Sequence, residues 1–221
     1  MPSDQTLWLA RDVHVATVDT DLVFLSVDRD AYFCLPDAAG ILTAGETGQV
    51  RVTDADWARE LLQAGLLARG PASAGPAKSK APLPRPYESA LPLAAPLPGW
   101  CDVAPGLRAV ADITATYRGQ SLARLLARAR RPREATPTVS AELLDQVEDF
   151  HRWIPYAPVS GKCLLRSYML LRHLRRSGLD AIWVFGVRTW PFHAHCWLQC
   201  ETLVLDDHVE RVAAFTPILT V

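Results

Sequence analysis

Residues 160–207 read SGKCLLRSYMLLRHLRRSGLDAIWVFGVRTWPFHAHCWLQCETLVLDD, and their texture changes once, at Gly178. Before that glycine, Leu164, Leu165, Tyr168, Leu171 and Leu174 recur at helical spacing, with Ser160 or Gly161 at the start and Gly178 at the stop. After it the chain is rich in Val, Trp, Phe and Leu, interrupted by Pro191 and short polar steps. That composition predicts strands over 181–188, 192–200 and 203–206, with a tight turn at 201–202. Helix followed by antiparallel strands predicts an α+β domain.

Two more amphipathic helices precede this stretch. SLARLLARARR ends before Pro132, and SAELLDQVEDFHRWI places Leu143, Val147, Phe150 and Ile154 on one face, with Ser140 as cap. Further upstream, residues 70–98 contain repeated prolines, which remove backbone donors and fix φ. Such a segment is a linker, or an extended stretch laid over a neighbour. It divides the chain into a small module (1–70), the Pro-rich linker (71–98) and a larger domain (99–221).

The small module opens with VHVATVDTDLVFLSVDRDAYFCL, alternating runs that predict an antiparallel meander turning at Asp19 to Asp21 and at Asp28 to Asp30. PDAAGILTAG and TDADWARELLQAGLLARG follow. In the second, Thr53 or Asp54 caps a helix whose apolar face is Trp57, Leu61 and Leu62, with Gly65 and Gly70 as stops. Strands followed by short helices in so few residues predict a module of winged-helix size.

Composition bounds the function classes. The 221 residues carry 23 basic and 24 acidic side chains, so no global field recommends nucleic acid or an anionic membrane. The Arg-rich run 118–134 reads as a solvated helix face, since no aromatic stacking platform accompanies it. No apolar run reaches the roughly 18 to 20 residues of a membrane span, and the N-terminus lacks a signal-peptide core, which predicts a cytoplasmic protein. Five scattered cysteines do not form a disulfide scaffold, so reduced thiols are expected.

A thiolate, not a thiol, is the reactive species, and a helix start favours negative charge there. Cys163 has that position. In an extended strand residues two apart share a face, so His193, His195, Trp197 and Gln199 lie on one side, with Cys196 on the other. Either histidine can serve as base, and either Asp206 or Asp207 as the carboxylate that orients it. A lone buried cysteine is more often packing. The conjunction of helix-start Cys, strand His and following Asp argues for chemistry.

These residues resemble a known family. Cys163 opening a helix, the F-x-A-H-x-W pattern of Phe192, Ala194, His195 and Trp197, and Asp207 twelve residues after His195 are similar to the transglutaminase-like cysteine proteases of lasso peptide biosynthesis. These are the B proteins that remove the leader peptide. The resemblance runs from about Gly99 to the C-terminus and includes RWIPYAPVSGKCLLRSYMLLRHLRRSGLDAIWVFGV. It implies a papain- or transglutaminase-like fold, the catalytic set Cys163, His195 and Asp207, and no cofactor or metal. VFLSVDRDAYFCL and ELLQAGLL resemble more loosely the PqqD-like winged-helix module that binds leader peptides. By that resemblance Tyr32, Phe33 and Trp197 contact substrate, the precursor leader adds as a strand to a sheet edge, and an asparagine-synthetase-like macrolactam synthetase is a partner. Three rival readings stand beside it. One is acyl transfer to an amine by the same triad, another a binding protein with an unused cysteine, and the third a zinc site drawn from His193, His195, Cys196, Cys200, Asp207 and His208.

Overall fold

A computed structural model describes residues 5–45, 48–71, 83–91, 117, 119–130, 136–156 and 163–221. The chain forms two units, residues 1–82 with 187–192 and residues 83–186 with 193–221.

In the first unit, β2 (Val13–Val18), β3 (Asp21–Ser26) and β4 (Ala31–Leu35) form the predicted antiparallel meander, with β4 at an edge. Its turns use Asp19 and Asp30 at positive φ, a conformation that short polar side chains tolerate. A second sheet has the order β5 (Leu42–Ala44), β6 (Gln49–Val52), β1 (Gln5–Leu9), β7 (Leu67–Ala68). Between β6 and β7 lies α1 (Ala55–Gln63), whose cap is Asp54: its Oδ1 accepts from the backbone N–H of Asp56 at 2.8 Å and Trp57 at 3.0 Å. Leu7, Leu22, Phe24, Val50, Val52 and Leu61 are buried together as the core.

The expected succession of short helices in this unit is corrected. Among the described residues α1 is its only helix, and ILTAG enters a strand instead. The reason is visible in QVRV, where Val50 and Val52 are buried and Gln49 and Arg51 exposed. That period of two recruits Leu42–Ala44 as a partner strand.

The second unit contains a five-stranded sheet in the order β12 (Thr216–Thr220), β9 (Ile182–Arg188), β10 (His193–Cys200), β11 (Leu203–Val204), β8 (Glu88–Ser89). The predicted strands 181–188 and 192–200 are thus found within a residue or so, and the turn at 201–202 uses Glu201 at positive φ. The described part of the Pro-rich segment, 83–91, lies extended along the sheet: β8 pairs in parallel with β11, and Gln199 Nε2 donates to the Pro84 carbonyl at 2.7 Å.

Helices α2 (Leu122–Ala129), α3 (Ala141–Trp153) and α4 (Cys163–Arg176) precede β9, and α4 packs against both α3 and β10. Ser140 caps α3 as expected, accepting from Leu143 N–H at 3.1 Å, and Leu143, Val147 and Phe150 are buried. The start expected for α4 at Ser160 or Gly161 lies outside the described residues. Its end is a glycine closure: Gly178, at φ 76°, lets Leu179 N–H reach the Leu174 carbonyl at 3.1 Å and Gly178 N–H the Arg175 carbonyl at 3.3 Å. Tyr168, Leu171 and Leu174, read from the sequence as inward-facing, are buried. No helix among the described residues is long and apolar enough to cross a membrane.

Candidate active site

Helix α4 presents Cys163 at its first turn, where backbone N–H groups have no partner inside the helix. The helix is held by Leu170, Leu171 and Leu174, all fully buried, so this end is fixed against β10. There Cys163 meets two consecutive residues of the strand. The His195 ring and the thiol and backbone N–H of Cys196 all favour the anionic form of Cys163. His195 Nε2 lies 2.6 Å from Asp207 Oδ2, which assigns that nitrogen as the donor to the carboxylate and leaves Nδ1 for the thiol.

Asp207 is itself heavily supported. His208 N–H donates to its Oδ1 at 2.8 Å, Arg211 Nη1 approaches the same oxygen at 3.4 Å, and Arg166 Nη2 approaches Oδ2 at 3.5 Å. Arg211 comes from α5 (Val209–Val212) and Arg166 from α4. Burial alone would raise Asp207, but His195, the His208 N–H and the charge of Arg166 bring it below the usual carboxylate value. The His195 ring lies between Trp197, centroids 6.3 Å apart, and Phe215, 5.2 Å apart.

These contacts set the charge state. Cys163 is lowered to about 4, chiefly by the Cys196 thiol, against the effect of burial, with His195 and the Cys196 N–H adding to it. Burial by itself would lower His195, yet Asp207 and the Cys163 thiolate raise it to about 9. Between those limits the site is a thiolate–imidazolium pair. The other described cysteines go the opposite way: burial raises Cys34 and carries Cys200 to about 11, while Cys196 is raised by its contact with Cys163 and by burial. That contrast sets Cys163 apart from the other described cysteines; Cys101 lies outside the described residues.

The structure therefore brings Cys163, His195 and Asp207 together and separates the pairs that periodicity left open. His193 is exposed at the start of β10. Asp206 turns away from His195: its Oδ2 accepts from Ser167 Oγ at 2.5 Å and its Oδ1 from Leu198 N–H at 2.8 Å. Two expectations need correction. Trp197, expected to touch substrate, is 1% exposed and gives its indole N–H to Gln199, so it backs the His195 ring. Cys196, which strand alternation puts on the other face from His195, is nonetheless the largest influence on the Cys163 thiol. Tyr32 and Phe33 lie on β4 in the first unit, Phe33 against its core and Tyr32 5.7 Å from the Phe192 ring. Ser167, Arg166 and Arg211 were not anticipated; the only sequence signal was that Ser167 follows Cys163 by one helical turn. Among the described residues no three His, Cys, Asp or Glu side chains are grouped to hold a metal ion.

Comparison with known proteins agrees with this geometry. One similar protein is the microcin J25-processing protein McjB of Escherichia coli, 44% identical over 45 residues. The match covers 20% of this chain and 22% of McjB, about a fifth of the length of that relative. No solved structure matches. Residues 107–220, more than half of the chain and including Cys163, His195 and Asp207, match the transglutaminase-like superfamily, and the chain belongs to that superfamily.

Proposed function

We propose that this chain is a thiol peptidase that removes the leader from a ribosomally made lasso precursor peptide. The observation that carries the reading is the set Cys163, His195 and Asp207, with the imidazole held by a carboxylate at 2.6 Å and the thiol lowered to about 4. The Cys163 thiolate attacks the carbonyl at the leader–core junction. His195, already protonated, gives its Nδ1 proton to the departing amine, then takes a proton from the water that hydrolyses the thioester. Asp207 holds the ring in the tautomer and orientation that both steps need. As the first residue of α4, Cys163 offers its own backbone N–H to the developing oxyanion.

The partial similarity to McjB supports a peptide precursor as substrate. In the first unit the exposed edge of the β2-β3-β4 sheet suits strand addition by a leader peptide, with Tyr32 and Phe33 on the edge strand. The product core would pass to an ATP-dependent macrolactam synthetase. A second reading keeps the site and replaces water by an amine acceptor, since other members of the superfamily transfer acyl groups.

The test is mass spectrometry of a leader–core precursor incubated with the wild-type chain, Cys163→Ala and His195→Ala. Wild type is expected to release a free leader carboxylate and a free core amine, and both variants to leave the precursor intact. Cleavage by Cys163→Ala at the wild-type rate overturns the mechanism. A new amide on the leader assigns acyl transfer instead.

A further inference from the structure

The carboxylate that holds His195 comes from a turn, and that turn is tied to its surroundings residue by residue. β11 ends at Val204, whose carbonyl accepts from Ala90 N–H at 2.8 Å. Leu205 N–H still reaches the Leu198 carbonyl on β10 at 2.9 Å, and Leu198 N–H is taken by Asp206 Oδ1 at 2.8 Å, where the sheet ladder stops. Past Asp207, Val209 N–H goes to Ser89 Oγ at 2.7 Å. There remains the Leu205 carbonyl, which belongs to a fully buried residue and so needs a donor from the protein. That donor is His151 of α3, whose Nε2 lies 2.8 Å from it. His151 is 7% exposed, and burial together with the charge of Arg166 favours its neutral ring. A neutral imidazole has one proton and a carbonyl only accepts, so Nε2 carries it. α3 packs on α4, and the Phe150 ring meets the His151 ring edge-on at 5.6 Å, so the donor is held in place.

We propose that His151 is a positioning residue of the active site: its Nε2–H anchors the Leu205 carbonyl, two residues before Asp207, and so keeps the Asp207 carboxylate on His195 Nε2. A side chain needed there only to fill space would be apolar, like Leu143, Val147 and Phe150 on the same face of α3. A histidine brings a donor that none of those has, and its burial carries a desolvation penalty that a bond offsets. The 2.6 Å contact between Asp207 and His195 leaves little room for displacement, so the backbone that presents Asp207 has to be fixed on both sides. Ser89 and the His208 N–H hold the far side, and His151 holds the near one. Arg166 from α4 is the charged group that faces His151, and it also approaches Asp207 Oδ2 at 3.5 Å. Because the His151 ring is neutral, the anchor adds no second cation to compete with His195 for that carboxylate. The groups facing His195 itself are Asp207 and Cys163.

The inference rests on the proposed roles of Cys163, His195 and Asp207, and one set of titrations separates the two. The His195 ring resonance of the isotope-labelled full chain, assigned by its loss in His195→Ala, is followed against pH by NMR, and kcat and KM for precursor cleavage are measured on the same variants. Wild type is expected to titrate near 9. His151→Phe keeps a ring and removes the donor, and His151→Leu does so with less bulk, so failure of one variant to fold still leaves the other. Each is expected to lower the His195 midpoint by about one pH unit, an approximately tenfold lower ratio of imidazolium to imidazole on the alkaline limb. Each is also expected to lower kcat about tenfold with KM unchanged, since the lost orientation matters to the chemical steps and not to binding. His151→Gln, whose amide N–H can stand in for Nε2–H, is expected to restore both. A wild-type midpoint or a wild-type kcat in the Phe and Leu variants overturns the inference alone, as does a Gln variant no better than the Phe variant. A wild-type His195 that titrates near its ordinary 6.5 overturns the catalytic reading itself.

Discussion

Replacing Asp206 with Asn should stabilise the protein at neutral pH. Burial raises the Asp206 carboxyl from 3.8 to about 6, even though Ser167, Leu198 N–H and Arg166 all favour its charged form; the neighbouring Asp207 adds to the rise. A folded-state pKa above the unfolded one means that the native chain binds more protons between those two values. Stability therefore falls as pH rises from about 4 to about 6 and stays lower above that. The shift corresponds to about 3 kcal/mol held against the charged form. Asn keeps the geometry: its Oδ1 can accept from Leu198 N–H while its Nδ2 donates to Ser167 Oγ. Neutral hydrogen bonds are weaker than charge-assisted ones, so a gain of about 1–3 kcal/mol is expected near neutral pH. Urea unfolding of both chains across pH is the assay, and the difference between them is the quantity to follow. His151 and His173, whose pKa values are lowered chiefly by burial, contribute equally to both chains and cancel in that difference. The difference should be small near pH 4 and grow by about 1.4 kcal/mol per pH unit at most until it levels above pH 6. A difference that does not change with pH, or an Asn variant less stable than wild type near neutrality, refutes the reasoning.

Three further outcomes follow from the same coordinates. The pH profile of kcat/KM for precursor cleavage should be a broad plateau, with an acid limb near 4 from Cys163 and an alkaline limb near 9 from His195; Asp207→Asn should lower the alkaline limb, and a profile centred on an ordinary thiol near 9 contradicts the ion pair. Gly186→Ala would place a Cβ 2.8 Å from Trp197 Cζ3 and 2.9 Å from Phe215 Cβ, costing about 1–3 kcal/mol in thermal unfolding and lowering kcat, because those two rings flank His195; an unchanged melting temperature contradicts it. Removing residues 1–70 should raise KM for full precursor while leaving cleavage of a short peptide spanning only the leader–core junction unchanged, and equal KM values for full precursor argue against leader recognition by the first unit.

Much of the second unit was legible because its signals are local. Ser140 before an apolar stripe, Gly178 after one, and the β-branched and aromatic run that follows each have a physical meaning within a few residues. The grouping of Cys163, His195 and Asp207 was legible as far as the phase of a strand allows: alternation offered His193 with His195, and only the family pattern preferred His195. What escaped depends on tertiary contact. Nothing local tells Glu88 and Ser89 to pair with β11, since a Pro-rich stretch reads alike as linker and as strap. QVRV is too short for its period to stand out as a strand by itself, and the β5–β6 pairing appears only when both strands are present. Trp197 was placed on the correct face, but its burial comes from Ile182, Val184, Val204 and Val212, which are distant in sequence.

The arrangement around Cys163 also explains why two consecutive acids have opposite titration behaviour. His195 and Cys196 are neighbours on β10, so their side chains leave the strand on opposite faces, and Asp206 and Asp207 are neighbours just past β11. Asp207 bonds the imidazole of one directly, and Asp206 accepts from Ser167, whose Oγ lies 3.3 Å from the backbone carbonyl of the other. Asp207 gains a cationic partner in His195 and falls below the ordinary carboxylate value; Asp206, satisfied only by neutral donors and lying beside another carboxylate, rises to about 6. One acid is thus stabilised as an anion by the imidazole it holds. The other carries a charge that costs stability near neutral pH while anchoring α4 to the strand. If the Ser167–Asp206 bond positions Cys163, Asp206→Asn should give a more stable protein with a less strongly depressed Cys163, a loss of thiolate accompanying a gain in fold stability.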